Sequence, residues 1–244
     1  MTDTEHRYEF HHALDELRAD MVRLGALVTE TVAKATVALL ERDLNVAQQV
    51  IDDDDIIDVL GLEIEERCYQ LLALQNPIAG DLRFIICSIR MASELERSAD
   101  LMVNVCKATR RLYDVDIEPK VRGLIEDMSL EAASLTRRAL DSYATADAAL
   151  ASALDDIDDK LDQLHVQYVE TIFGAENTPV TTLRTAVQLA LIGRFYERVG
   201  DHAVNMGERV SYMVTGWLPE HSGAARIESR RRAAKDDRWS SPTE

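Results

Sequence analysis

Only five prolines and ten glycines interrupt this 244-residue chain, and aromatic residues make up just 5% of it. Sheet proteins draw on β-branched and aromatic residues and on frequent turn signals, so this scarcity excludes sandwiches and turns the reading toward helix. Cysteine is scarce too. Cys68, Cys87 and Cys106 are odd in number, widely spaced and without a CxxC, so no complete disulfide framework exists and reduced thiols packed against core are expected. No apolar run approaches the ~20 residues of a membrane span, and Met1 to Arg7 is polar rather than signal-like; the expectation is a cytoplasmic protein with no membrane insertion. Gly-rich phosphate loops, GxSxG and suggestive Cys/His pairs are missing, which argues against an enzyme.

What is present is apolar material, 46% of residues, and acid, with a formal net charge of −17. The charge is uneven: residues 1–220 hold 21 basic against 40 acidic side chains, or −19, while 221–244 are net basic around Arg230-Arg231-Arg232. Nucleic-acid backbones are gripped by Lys and Arg, so this balance excludes direct nucleic-acid binding and favours cations or basic partner surfaces. The few breakers, Pro77/Gly80, Pro119, Gly174/Pro179 and Pro219, separate long stretches with apolar positions three or four apart. Leu14, Leu17, Met21, Leu24, Val28 and Val32 mark one such face. With further breaks near Asp43–Asn45 and Asp147, six helices are predicted in two groups of three.

The groups repeat each other. DLRFIICSIRMASELERSADLMVNV from Asp81 lies on TLRTAVQLALIGRFYERVGDHAVNM at an offset of 101, matching Glu96, Arg97, Asp100 and Asn104 to Glu197, Arg198, Asp201 and Asn205. Upstream, DLNVAQQVIDDDDIID lies on DAALASALDDIDDKLD at an offset of 104, matching Asp54 and Asp58 to Asp158 and Asp162. Two matches in the same order indicate an internal duplication. Short loops make sequential helices antiparallel neighbours, so the predicted fold is all-α, two tandem antiparallel three-helix bundles. The expected boundaries are 7–114 and 116–217, followed by a disordered tail at 218–244.

Glu96 and Asp100 stand one helical turn apart, and a helical wheel puts Glu96 inside the apolar sector of Ile85, Ile89, Ala92 and Val103. Asp54 and Asp58 have the same spacing on the preceding, antiparallel helix. Four carboxylates could converge there, and Asp158, Asp162, Glu197 and Asp201 would repeat the arrangement. An all-oxygen cluster suits hard cations such as magnesium, manganese or ferric iron better than it suits zinc. The competing reading is an ion-pair network in which Arg83, Arg97, Arg184 or Arg198 ties the helices together. A ferritin-like di-iron site needs two Glu-x-x-His motifs in one four-helix bundle; Glu9-x-x-His12 is one and Asp162-x-x-His165 is only a weaker analogue, and the six-helix repeat does not supply that arrangement. His202, with Leu101 at the matching position, reads as a solvated or core-edge residue.

The ordered set D-D-I-I-D, P-x-A-x-D-L-R, E-L-E-R-x-x-D-x-x-x-N, D-D-K-L-D and Y-E-R-V-G-D-H-A-x-N resembles the PhoU family of phosphate-signalling regulators across residues 7–216. The resemblance implies two bundles related by pseudo-twofold symmetry, often in a homodimer. It implies a negative regulator of phosphate uptake and starvation signalling that links a phosphate ABC transporter, through its ATPase, to a sensor histidine kinase. It also implies metal held at the paired E(D)xxxD motifs, carried here by Asp54/Asp58 with Glu96/Asp100 and by Asp158/Asp162 with Glu197/Asp201; iron, manganese, magnesium and zinc are the candidates. The second-lap loop Pro179-Val-Thr-Thr-Leu-Arg184 is one residue shorter than Pro77–Arg83 and departs from the pattern. The alternative is a carboxylate-rich metal-storage protein or metal-dependent enzyme.

Overall fold

Long breaker-free stretches fold as their spacing predicts. The structure, a computed structural model, describes residues 3–174 and 183–217. These form α1 (Asp3–Glu41), α2 (Leu44–Gln75), α3 (Ala79–Arg111), α4 (Pro119–Thr145), α5 (Ala148–Ser152), α6 (Leu154–Phe173) and α7 (Leu183–Thr215), with no strand among the described residues. The expected tail and the loop around Pro179 lie outside them. The α1 face read from spacing, Leu14 through Val32, is buried.

The turns repeat along with the helices. Arg42 (φ 55°) and Ala146 (φ 53°) both adopt the left-handed conformation, at the same offset of 104. That costs an L-residue about 1–2 kcal/mol. Each is followed by an aspartate that caps the next helix. Asp43 accepts from the backbone N–H groups of Asn45 and Val46, and Asp147 accepts from those of Ala149 and Leu150. Such a cap contributes about 1 kcal/mol, so both turns carry the same strain and the same local compensation.

Six helices were expected and seven form among the described residues, because the second-lap counterpart of α2 is broken at Ala153 into α5 and α6. At this step α7 packs close against it. A Cβ on Gly207 would stand 2.6 Å from the Ala151 carbonyl oxygen and 2.7 Å from Leu154 Cδ1. Glycine at 207 therefore permits the offset path.

α1, α2 and α3 pack as one bundle and α4, α5–α6 and α7 as the other; α3 lies along α7 and α1 along α4, fusing them through one continuous core. All three cysteines are free and buried within it, with thiols pushed up to about 12 by burial. Between the bundles, Thr36 of α1 shares hydrogen bonds with Ser129 of α4 (2.7 Å) and Tyr196 of α7 (2.8 Å), all buried. Replacing Tyr196 with Phe keeps the ring and leaves Thr36 bonded to Ser129. The expected cost in urea unfolding is about 1 kcal/mol with an unchanged slope; a cost of several kcal/mol would show that the hydroxyl holds the bundles together.

Candidate functional site

In the first lap, α2 and α3 bring the four predicted acids into one electrostatic neighbourhood. Asp54 is half-buried, and Asp58, Glu96 and Asp100 are exposed. Burial, then the charges of Asp58 and Asp100, push the Asp54 carboxyl up to about 6. Asp58 is raised by burial and by Asp100. Glu96 is raised by burial, then by Asp58 and Asp100. Glu96 also reaches across to α2, its Oε2 lying 3.8 Å from where a Cβ on Gly61 would stand.

The helical wheel misplaced Glu96. Because α3 packs against α1, α2 and α7, its buried sector is wide, and Glu96 and Asp100 lie on the strip that remains in solvent with Ser93 and Arg97. A half-buried acid on this helix is Glu94, which faces the other bundle. Glu94 Oε2 lies 2.6 Å from His202 Nδ1 and accepts a longer bond (3.4 Å) from Asn205, so α3 and α7 are clasped at their contact. Burial alone would raise the Glu94 carboxyl; His202, with help from Asn205 and Arg97, overrides it and the net shift is downward. His202 is thus buried in an interface rather than solvated. The three- and four-residue spacing around Glu197 hid this, because the partner lies on a different lap.

The second lap is deeper. Asp158 is only 9% exposed, and burial, followed by the charges of Asp162 and Asp201, raises its carboxyl to about 7. Its Oδ1 is buried without a hydrogen-bond partner, as is Oε2 of Glu197. Asp158 fits there because Gly200 has no side chain: a Cβ would stand 2.4 Å from Asp158 Oδ1 and 2.6 Å from Leu161 Cδ2. One cation lies on these acids. Arg194 of α7 pairs with Glu197, and its second terminal nitrogen is 3.8 Å from Asp201.

The arginines first considered as ties do other work. Arg83 donates from Nε to the Met213 carbonyl near the end of α7 (3.0 Å), while Arg97 acts on Glu96 only through longer-range charge and Arg184 and Arg198 are exposed. Arg194 was legible as the partner, standing three residues before Glu197 and seven before Asp201 and so on their face of the helix. Among the described residues, no three His, Cys, Asp or Glu side chains stand close enough to hold a metal as they are placed. The donor chemistry nevertheless fits a hard cation: the candidate donors are all carboxylate oxygens, and two of them, both in the second lap, are buried without a hydrogen-bond partner.

A carboxyl raised in the fold binds its proton more tightly folded than unfolded. Its contribution favours the fold at low pH and is lost as pH rises from about 3.8 through about 7 for Asp158. The metal-free protein should therefore melt progressively lower between pH 5 and pH 8, and Asp158→Asn should flatten part of that decline; a profile untouched by the substitution contradicts the assignment. Gly200→Ala should cost about 1–3 kcal/mol by overpacking against Asp158 and Leu161, read as a lower melting temperature, whereas wild-type stability would show that α6 moves aside freely.

Comparison with known proteins agrees with this fold. The PhoU domain model matches twice, at residues 21–109 and 125–210, one match in each bundle. The "Phosphate-specific transport system accessory protein PhoU homolog 1" of Mycobacterium tuberculosis is 37% identical over 214 residues, 87% of this chain and 96% of that protein. The Thermotoga maritima protein of the same name is 32% identical over 207 residues, 85% of this chain and 89% of its own. The crystal structure of PhoU from Pseudomonas aeruginosa superposes with a TM-score of 0.79 at 29% identity, covering 85% of this chain and all of that one. The phosphate transport system regulatory protein PhoU from Streptococcus pneumoniae gives 0.78 at 31%, covering 86% and 98%. With both halves matched and the fold shared over 86% of its length with the Streptococcus pneumoniae protein, the chain belongs to the PhoU family.

Proposed function

We propose that this chain is a non-enzymatic cytoplasmic regulator of phosphate homeostasis that restrains phosphate uptake and phosphate-starvation signalling. It does so by standing, as a homodimer, between the ATPase of a phosphate ABC transporter and a sensor histidine kinase. The observation that carries the reading is the extent of likeness to relatives named as accessory proteins of a phosphate-specific transport system, 96% of the length of the Mycobacterium tuberculosis protein. The long helices support it as well: they build broad surfaces, and no described helix is long and apolar enough to cross a membrane.

In this reading the two carboxylate clusters hold hard cations, iron, manganese or magnesium before zinc. A bound cation supplies charge compensation and joins facing helices, α2 to α3 and α6 to α7. The chain's own contribution is to hold the acids in register: Gly200 admits Asp158, and Asp54 and Asp158 sit deepest, where added positive charge has the greatest effect. The body's charge of −19 over residues 1–220 favours a basic surface on the partner.

Deleting the chain from its host should leave phosphate-responsive genes switched on in phosphate-rich medium. Unchanged expression of those genes would overturn the regulatory reading. With purified components, association with the transporter ATPase should slow as salt is raised from low to physiological ionic strength; a flat rate would remove electrostatic steering from the account.

A further inference from the structure

The two laps differ at one charge. Arg194, with its side chain 49% exposed, pairs with Glu197 and approaches Asp201. At the offset of 101, its first-lap counterpart is Ser93, an exposed residue on α3 beside Glu96 and Asp100. The cations nearest the first-lap acids, Lys107 for Asp54 and Arg97 for Glu96, influence them without forming an ion pair among the described residues. The second cluster thus carries its own counter-cation and the first does not.

Arg194 does not complete the second cluster. Its guanidinium takes Glu197 Oε1 and lies near Asp201 Oδ2, while Glu197 Oε2 and the inner oxygen of Asp158 remain buried and unpaired. Asp158 is itself more than nine-tenths buried, so its Oδ1 is a second, independent sign that a positive ligand belongs there. A guanidinium is planar and sits on a long stem, and this one is half in solvent, so it can leave the acids without disturbing the core.

We propose that Arg194 is a resident counter-cation that a metal ion must displace, so that the two clusters of one chain load unequally. The first lap takes a hard cation at the lower concentration. The second loads only when Arg194 gives up Glu197 and Asp201. The inference rests on both clusters being cation sites. A half-exposed ion pair is worth up to about 1 kcal/mol, and the cation also faces one fewer net negative charge, so the second lap should bind roughly five- to tenfold more weakly.

The test is a Mn²⁺ titration of the full chain after chelator treatment, followed by electron paramagnetic resonance of free Mn²⁺. Wild type should show two classes of site. Glu96→Gln with Asp100→Asn should remove the tighter class and so assign it to the first lap. Arg194→Ser should tighten the weaker class five- to tenfold and leave the tighter one in place. Ser93→Arg, at an exposed position where folding is not at stake, should weaken the tighter class by a similar factor. Two equal classes that ignore both substitutions would overturn the inference while leaving the cation sites intact. Weaker binding in Arg194→Ser would overturn it too, by making the arginine a positioning residue. No Mn²⁺ bound by any of these proteins would overturn the cation reading and the inference together.

Discussion

α3 and α7 are central to everything else in this molecule. Each packs along the other and against the remaining helices of its own bundle, so each buries most of its circumference. That contact fuses two marginal three-helix units into one core, and it leaves each helix only a narrow strip in solvent. Glu96 and Asp100 lie on the strip of α3; on α7 Asp201 is exposed and Glu197 lies at the buried edge, and each pair borders the antiparallel helix that carries two further aspartates. The clusters are therefore a consequence of topology: acids one turn apart on neighbouring antiparallel helices are held at close quarters by packing that lies beneath them.

Holding like charges together raises the free energy of the fold, and the two laps offset it differently. The first keeps its acids mostly in solvent, where water screens them. The second buries Asp158 against the bare backbone of Gly200 and brings Arg194 onto the outer pair. The second arrangement still leaves Asp158 Oδ1 and Glu197 Oε2 buried without a hydrogen-bond partner. The clasp between Glu94 and His202 sits a short distance from both clusters along α3 and α7, so a change in charge at either one acts on helices that are already tied to each other.

Much of this was legible from residue spacing alone. The duplication, the α1 core face and the turns at Asp43 and Asp147 follow from periodicity and from side chains that cap helices, which are local properties. The eight acids were legible because the repeat displays them twice. Burial was harder: Glu96 was placed in the apolar sector because a wheel cannot show that α3 has three neighbours and thus an unusually wide buried face. The Glu94–His202 contact and the close approach at Gly200 depend on how one lap lies on the other, and no spacing within a single helix encodes that. The break at Ala153 belongs to the same class, since its partner Gly207 is 54 residues away.

The central claim is that these acids are gathered to be neutralised by a cation. Calorimetry of the chelator-treated protein at pH 8, with and without Mn²⁺ at matched ionic strength, tests it most directly. A cation at a hundred times its dissociation constant adds about 2.7 kcal/mol for one site. In a chain of this size that should raise the melting temperature by roughly 5–10 °C. Superimposable melting curves would contradict the account.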